Sequence, residues 1–180
     1  FEIAERFRPG SYRLALLSPG GGSVESSSGL KLASEPLSGG PFDTIVVAGG
    51  EVGRSTVAMQ ELLLVEEHER PSHRQRLLGG LFLAMAGRLD GRRATTHWAS
   101  LDDFGRRYPE VKLDADRIFI RDGDIWTAAG ISAGIDLALA LIEDDHGALV
   151  ARRTAQQLVV HQRRPGGQLQ FSTFLELGGR

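Results

Sequence analysis

The run Arg93-Ala94-Thr95-Thr96-His97-Trp98 sets an imidazole and two hydroxyls at the end of a short β-prone stretch. Imidazole titrates near neutrality, so His97 can donate to or accept from a bound polar ligand. The plainer alternative is a histidine that anchors the strand end by hydrogen bonding. Thr95 and Thr96 point to opposite sides of a strand, so at most one of them faces a crevice beside His97. A second stretch, Gly130-Ile131-Ser132, opens an apolar helix, whose free N–H groups and positive dipole end suit an anionic or polar ligand group. A third, Gly49-Gly50-Glu51, follows a β-branched run. Glycines there let backbone amides approach a ligand oxygen, or they make an ordinary tight turn. The candidate ligand-binding residues are therefore Gly49, Gly50, Glu51, Thr96, His97, Gly130, Ile131 and Ser132.

A nucleophile to go with them is missing. The 180 residues contain no cysteine, which excludes disulfides, thiolate metal sites and cysteine catalysis. Without a group for His97 to activate, no residue is assigned a catalytic role. His68, His73, His146 and His161 lack ligand spacing, so neither a metal nor a cofactor is expected. Asp136 sits inside an otherwise apolar helix; a buried carboxylate needs a partner, either a loop amide or an arginine. Arg152, Arg153, Arg163 and Arg164 lack interleaved aromatics and read as a solvated helix face rather than a nucleic-acid patch. Trp98 and Trp126 read as core or pocket walls.

The elements that must position these residues follow from pattern. With 41% hydrophobic and 24% charged residues and a formal charge of -2, the chain has the make-up of one globular domain without a basic surface. No apolar run approaches membrane-span length and no signal peptide is legible, so a cytoplasmic location is expected. Residues 1–7 end a helix closed by Pro9-Gly10, and Tyr12–Ser18 is a largely apolar strand. Short edge strands are expected at Val24–Ser28 and Leu30–Ala33. Thr44–Ala48 is a continuous run of the kind buried on both faces of a parallel sheet. Helices are expected over Ser55–Glu67 and Leu78–Gly87, then from Ser100, an N-cap with an acid three residues on, to just before Pro109. Asp122-Gly123 marks a hairpin between Arg117–Arg121 and Asp124–Thr127. Ser132–Glu143 is a central helix. Gly147–Arg164 is an amphipathic one, with Ala148, Ala151, Ala155, Leu158 and Val159 along its apolar face. Alternating strands and helices predict an α/β sandwich: a doubly wound, mostly parallel sheet with a β-hairpin insertion.

The stretches Asp43–Gly50, Ala86–Trp98, Tyr108–Val111, Arg121–Leu141 and Val150–Ser172 resemble the ThiJ/PfpI (class I glutamine amidotransferase-like) domain at the N-terminus of AraC-type transcriptional regulators. Leu89–Trp98 and Arg164–Ser172 are the most specific of them. The resemblance implies a flavodoxin-like fold, a small-molecule effector in the crevice, homodimerisation, and DNA contact only through a C-terminal helix-turn-helix domain. Residues 1–172 are then the ligand-sensing domain without the family's first strand, and 173–180 the start of a linker. The effector, the target genes and the direction of regulation are not legible.

Where the resemblance calls for a strand and a turn bearing cysteine, the chain reads His73-Arg74-Gln75-Arg76-Leu77-Leu78-Gly79. If Arg74–Gly79 is encoded CGC CAG CGT CTG CTC GGG, a one-base forward shift gives Ala-Ser-Val-Cys-Ser-Gly, with cysteine at position 77. A local reading-frame slip and a genuinely degenerate site are the two explanations, and resequencing or an intact mass separates them. The expected function is a non-catalytic sensor. The alternatives are a small cysteine-dependent amidase, hydrolase or isonitrile-hydratase-like enzyme whose nucleophile is lost or mis-recorded, and a bare dimerisation module.

Overall fold

The computed structural model describes residues 1–26, 28–37, 42–47, 76–130, 132–160 and 164. Gly49, Gly50, Glu51, Ile131 and the helix expected over Ser55–Glu67 lie outside the described residues. The order is α1 (Glu2–Glu5), β1 (Leu17–Ser18), β2 (Gly22–Glu25), β3 (Lys31–Pro36), β4 (Thr44–Val46), β5 (Arg76–Leu78) and α2 (Leu81–Met85). Then come β6 (Arg93–Ala94), a 3-10 turn (Trp98–Ser100), α3 (Leu101–Arg107), β7 (Lys112–Leu113), β8 (Phe119–Asp122), β9 (Ile125–Ala128), α4 (Ala133–His146) and α5 (Ala148–Leu158).

The central sheet runs β4-β5-β9-β8, with the first three strands parallel and β8 antiparallel at the edge. Gly123 closes the β8–β9 hairpin at φ +63°, a conformation glycine adopts without a Cβ penalty. Strand alternation distributes the core to two sides. Trp126 and its register partner Leu78 pack with Leu137 and Leu141 of α4. Ile125, one residue along, joins Val47, Leu83, Ala84, Phe104 and Val111 on the opposite side. Helices thus cover both faces, and the expected doubly wound, mostly parallel α/β sandwich is what forms. Beside it, β1, β3 and β2 make a three-stranded sheet and β6 pairs with β7.

Alternation also corrects one expectation. Val47 is buried and Ile45 packs on the core, but Val46, pointing the other way, is 59% exposed. The β-branched run identified the strand correctly; burial of its second face was not encoded there. The strand expected over Tyr12–Ser18 shortens to Leu17–Ser18, and Leu78 belongs to β5 rather than to the helix after it. Ser100 occupies the N-cap of α3 without a side-chain cap bond, and Asp103 instead pairs with Arg107 at 2.9 Å.

An arginine in a central strand is the least expected feature, and its partners explain it. The Arg76 side chain is 14% exposed; its Nε donates to Thr44 Oγ1 at 3.0 Å, and Nη1 lies 2.7 Å from Asp145 and 3.6 Å from Asp144. Those two carboxylates end α4, where the helix dipole opposes negative charge, so a cation there is doubly favoured. Tyr12 donates its hydroxyl to Asp145 at 2.8 Å, and burial, together with this acceptor, pushes the phenol pKa well up. Asp144 also accepts from Arg121, whose guanidinium lies over the Trp126 ring.

The last helix stops early. Ala151, Thr154 and Ala155 are buried, whereas Ala148 at the start of α5 and Leu158 and Val159 at its end are exposed; the helix stops at Leu158. Arg164 therefore lies beyond the helix. Val159 takes the left-handed conformation (φ 56°, ψ 39°) at the cap while 90% exposed. A β-branched residue pays about 1–2 kcal/mol for that conformation, and glycine does not. Val159→Gly should accordingly raise stability by about 1 kcal/mol in urea denaturation, since lost side-chain contacts are few; a loss of stability would show that the valine is not strained.

Candidate functional site

The parallel strands β4, β5 and β9 end on one side of the sheet, where a doubly wound fold opens its ligand crevice. Their ends are tied together: Val47 N–H donates to the Leu78 carbonyl at 2.7 Å and Gly79 N–H to the Trp126 carbonyl at 3.3 Å. The end of β6 joins them through Thr95, whose N–H donates to Thr127 Oγ1 at 2.9 Å. Thr95 is fully buried and donates its hydroxyl to the Arg117 carbonyl, a structural use. Thr96, on the other side of the strand, is half-buried.

His97 and Gly130 come together. A Cβ on Gly130 would lie 3.0 Å from His97 Cδ2, so a side chain at residue 130 would push the imidazole by at least a few tenths of an ångström. The ring caps the 3-10 turn: Nδ1 accepts from Ala99 N–H at 3.3 Å. In the neutral imidazole this assigns the proton to Nε2, which lies on the side of the ring nearer Gly130. The anchoring role and the ligand-facing role are compatible, because they use different nitrogens. Trp98 stands beside His97, ring centroids 5.3 Å apart, and is 39% exposed; Trp126 is core.

Ser132 holds the N-cap of α4 but makes no side-chain cap bond; its hydroxyl accepts from Arg164 Nη1 at 3.2 Å. Asp136, one turn on and 7% exposed, accepts from Arg164 Nε at 2.9 Å and Nη2 at 2.6 Å. The buried carboxylate thus finds the arginine it required, and Arg164 is not the solvated helix residue the sequence suggested. Arg152 and Arg153 are exposed on α5 as expected. The signal for the pair was divided: Asp136 demanded a partner, a loop amide or an arginine, and the placement of Arg164 depended on where α5 stops.

The turn from β5 to α2 is Gly79-Gly80, neither with a functional side chain. A Cβ on Gly79 would lie 2.9 Å from Val47 Cβ, whereas one on Gly80 would meet only the Thr95 carbonyl at 3.9 Å. Pattern reading passed over these glycines. Together the described groups offer an Nε2–H donor, a hydroxyl, the amide end of α4 and a neutralised carboxylate, and the strand–helix turn beside them bears no attacking atom.

Comparison with known proteins identifies the family. The DJ-1/PfpI family model matches residues 1–144. The HTH-type transcriptional regulator CdhR of Pseudomonas aeruginosa is 38% identical over 168 residues, covering 91% of this chain and 49% of that protein. Isonitrile hydratase of Pseudomonas putida is 42% identical over 80 residues, 44% of this chain and 34% of that enzyme. Among solved structures, an AraC family transcriptional regulator from Pseudomonas putida superposes with a TM-score of 0.75 at 25% identity, over 87% of this chain and 86% of that one. The chain spans about half the length of the first curated relatives it matches. With the family model covering most of its residues, this chain belongs to the DJ-1/PfpI family.

Proposed function

We propose that this chain is the ligand-sensing, non-catalytic part of an AraC-type transcriptional regulator. In this reading residues 1–172 are the sensor and 173–180 begin a linker to a separate helix-turn-helix domain that contacts DNA. The working form is a cytoplasmic homodimer. The observation that carries the reading is the close approach of His97 to Gly130 near the ends of the parallel strands, beside a strand–helix turn of glycines in a cysteine-free chain. The similarity to transcriptional regulators over nine-tenths of the chain supports it. Gly49, Gly50, Glu51 and Ile131 complete the proposed pocket alongside Thr96, His97, Gly130 and Ser132. An effector would act by binding one domain arrangement better than another; only that difference in affinity alters DNA binding.

Gly130→Leu tests the pocket. The added side chain must displace the imidazole, so any compound from a panel of small carboxylates, amides and nitriles that raises the melting temperature should lose roughly tenfold or more in affinity by calorimetry. Unchanged affinity would move the pocket elsewhere. A salt-sensitive gel shift by this chain alone would contradict the assignment of DNA contact to another domain.

The second reading, an enzyme with a lost or mis-recorded nucleophile, is favoured by the match to isonitrile hydratase. Leu77→Cys supplies the residue that the shifted frame would encode. Turnover of an isonitrile or amide by this variant would establish an ancestral or mis-recorded active site; inactivity supports the sensor.

A further inference from the structure

Among the described residues, the three-stranded sheet carries a face on which five large apolar side chains are exposed. Val24 of β2 stands directly opposite Leu32 of β3, so the two share a face. The bond between Ser18 Oγ and Ser34 Oγ, 2.8 Å, puts the even-numbered residues of β1 on that same face. Leu16, whose carbonyl accepts from Glu35 N–H, continues it, and the same alternation sets Leu14 level with Leu32 and Leu30 one step beyond Leu32. All five are exposed: Leu14 65%, Leu16 50%, Val24 37%, Leu30 66% and Leu32 48%. The other face presents Ser23, Glu25, Lys31 and Glu35 together with Leu17 and Ala33. The large apolar side chains thus gather on one face and the charges on the other, and among the described residues the apolar side is exposed.

We propose that this face is where two copies of the chain meet, Val24 and Leu32 of each lying near a twofold axis. The homodimer belongs to the function proposed above; the surface is what the structure adds. The size of the patch selects the occupant. The five side chains leave open roughly 400–500 Å² of apolar surface, at the upper end of what a monomer tolerates. A standard stable interface hides about 800 Å² per partner, and in homodimers about two-thirds of it is apolar. One patch therefore supplies the apolar core that a dimer of this chain requires. A twofold arrangement needs no second kind of surface, because the same face serves both copies.

Sedimentation equilibrium of the purified chain tests this. The wild type should be dimeric, and Leu32→Glu should weaken self-association by roughly tenfold or more, as loss of a central contact does. Residue 32 is half in solvent, so the substitution leaves the fold intact by circular dichroism; Val24→Glu serves if it does not. Mixing Leu32→Glu with Leu32→Lys should restore a dimer that neither forms alone, which non-specific aggregation cannot mimic. A monomeric wild type, or a dimer indifferent to both glutamate substitutions, would overturn the assignment. Sedimentation reads association alone and the calorimetric titration reads the pocket, so failure of the face and failure of the sensor reading remain distinguishable.

Discussion

Arg164→Ala should lower the stability of the chain by about 2–3 kcal/mol, measured by urea denaturation. The reason is what remains behind. Asp136 is 7% exposed and both of its described hydrogen bonds come from Arg164. Removing one partner of a buried charge pair typically costs about 3–5 kcal/mol, and the guanidinium's partial exposure places this pair at or below the lower end. Ser132 loses a donor in the same step, so the N-terminal turn of α4 loosens where the pocket is proposed. Two controls separate the pair from simple loss of bulk. Arg164→Lys keeps the charge but not the fork, and should recover only part of the loss. Asp136→Asn combined with Arg164→Ala removes the stranded charge, and should be less destabilised than Arg164→Ala alone. If Arg164→Ala changes stability by less than about 0.5 kcal/mol, the range of an ordinary surface substitution, the pair is not a structural element.

Two adjacent glycines should respond unequally, one substitution costly and the other neutral. Gly79→Ala forces a Cβ to within 2.9 Å of Val47 Cβ, on a strand held to β5 by the Val47 N–H bond to Leu78. Neither atom is at the end of a flexible side chain, so the β4–β5 pairing itself must give. Overpacking of this kind costs about 1–3 kcal/mol, and the upper end applies when backbone moves. Gly80→Ala meets only the Thr95 carbonyl at 3.9 Å, with Gly80 at φ -83°, where alanine is unstrained. It should be neutral within about 0.5 kcal/mol. Equal effects at the two positions would mean that the turn is looser than described. The contrast matters for function, because this turn faces the strand ends and fixes how closely β4 and β5 approach there.

How much of this was legible depended on whether the signal was local. Asp122-Gly123 specifies its hairpin within four residues, and the structure follows it. The run around Ile45 identified a strand, but the second face of that strand depends on what else packs there. Asp136 announced a missing partner, a loop amide or a cation, because a buried carboxylate in an apolar helix is too costly alone. The identity of that cation needed the end of α5, and helix ends are set by packing on α1 and α4 as much as by sequence. Arg76 looked hostile to a central strand because its compensation, Asp144 and Asp145, lies nearly seventy residues away. The meeting of His97 with Gly130 was anticipated only as two separate motifs; their contact is a product of the β6–β9 tie through Thr95 and Thr127.

Incubating the cysteine-free chain with saturating small carboxylates, amides, nitriles and aldehydes, then reading both melting temperature and the recovered compounds by mass, probes the sensor proposal most directly. A guest should raise the melting temperature saturably and come back chemically unchanged. Conversion of any of them by this polypeptide would contradict a crevice that holds but does not attack.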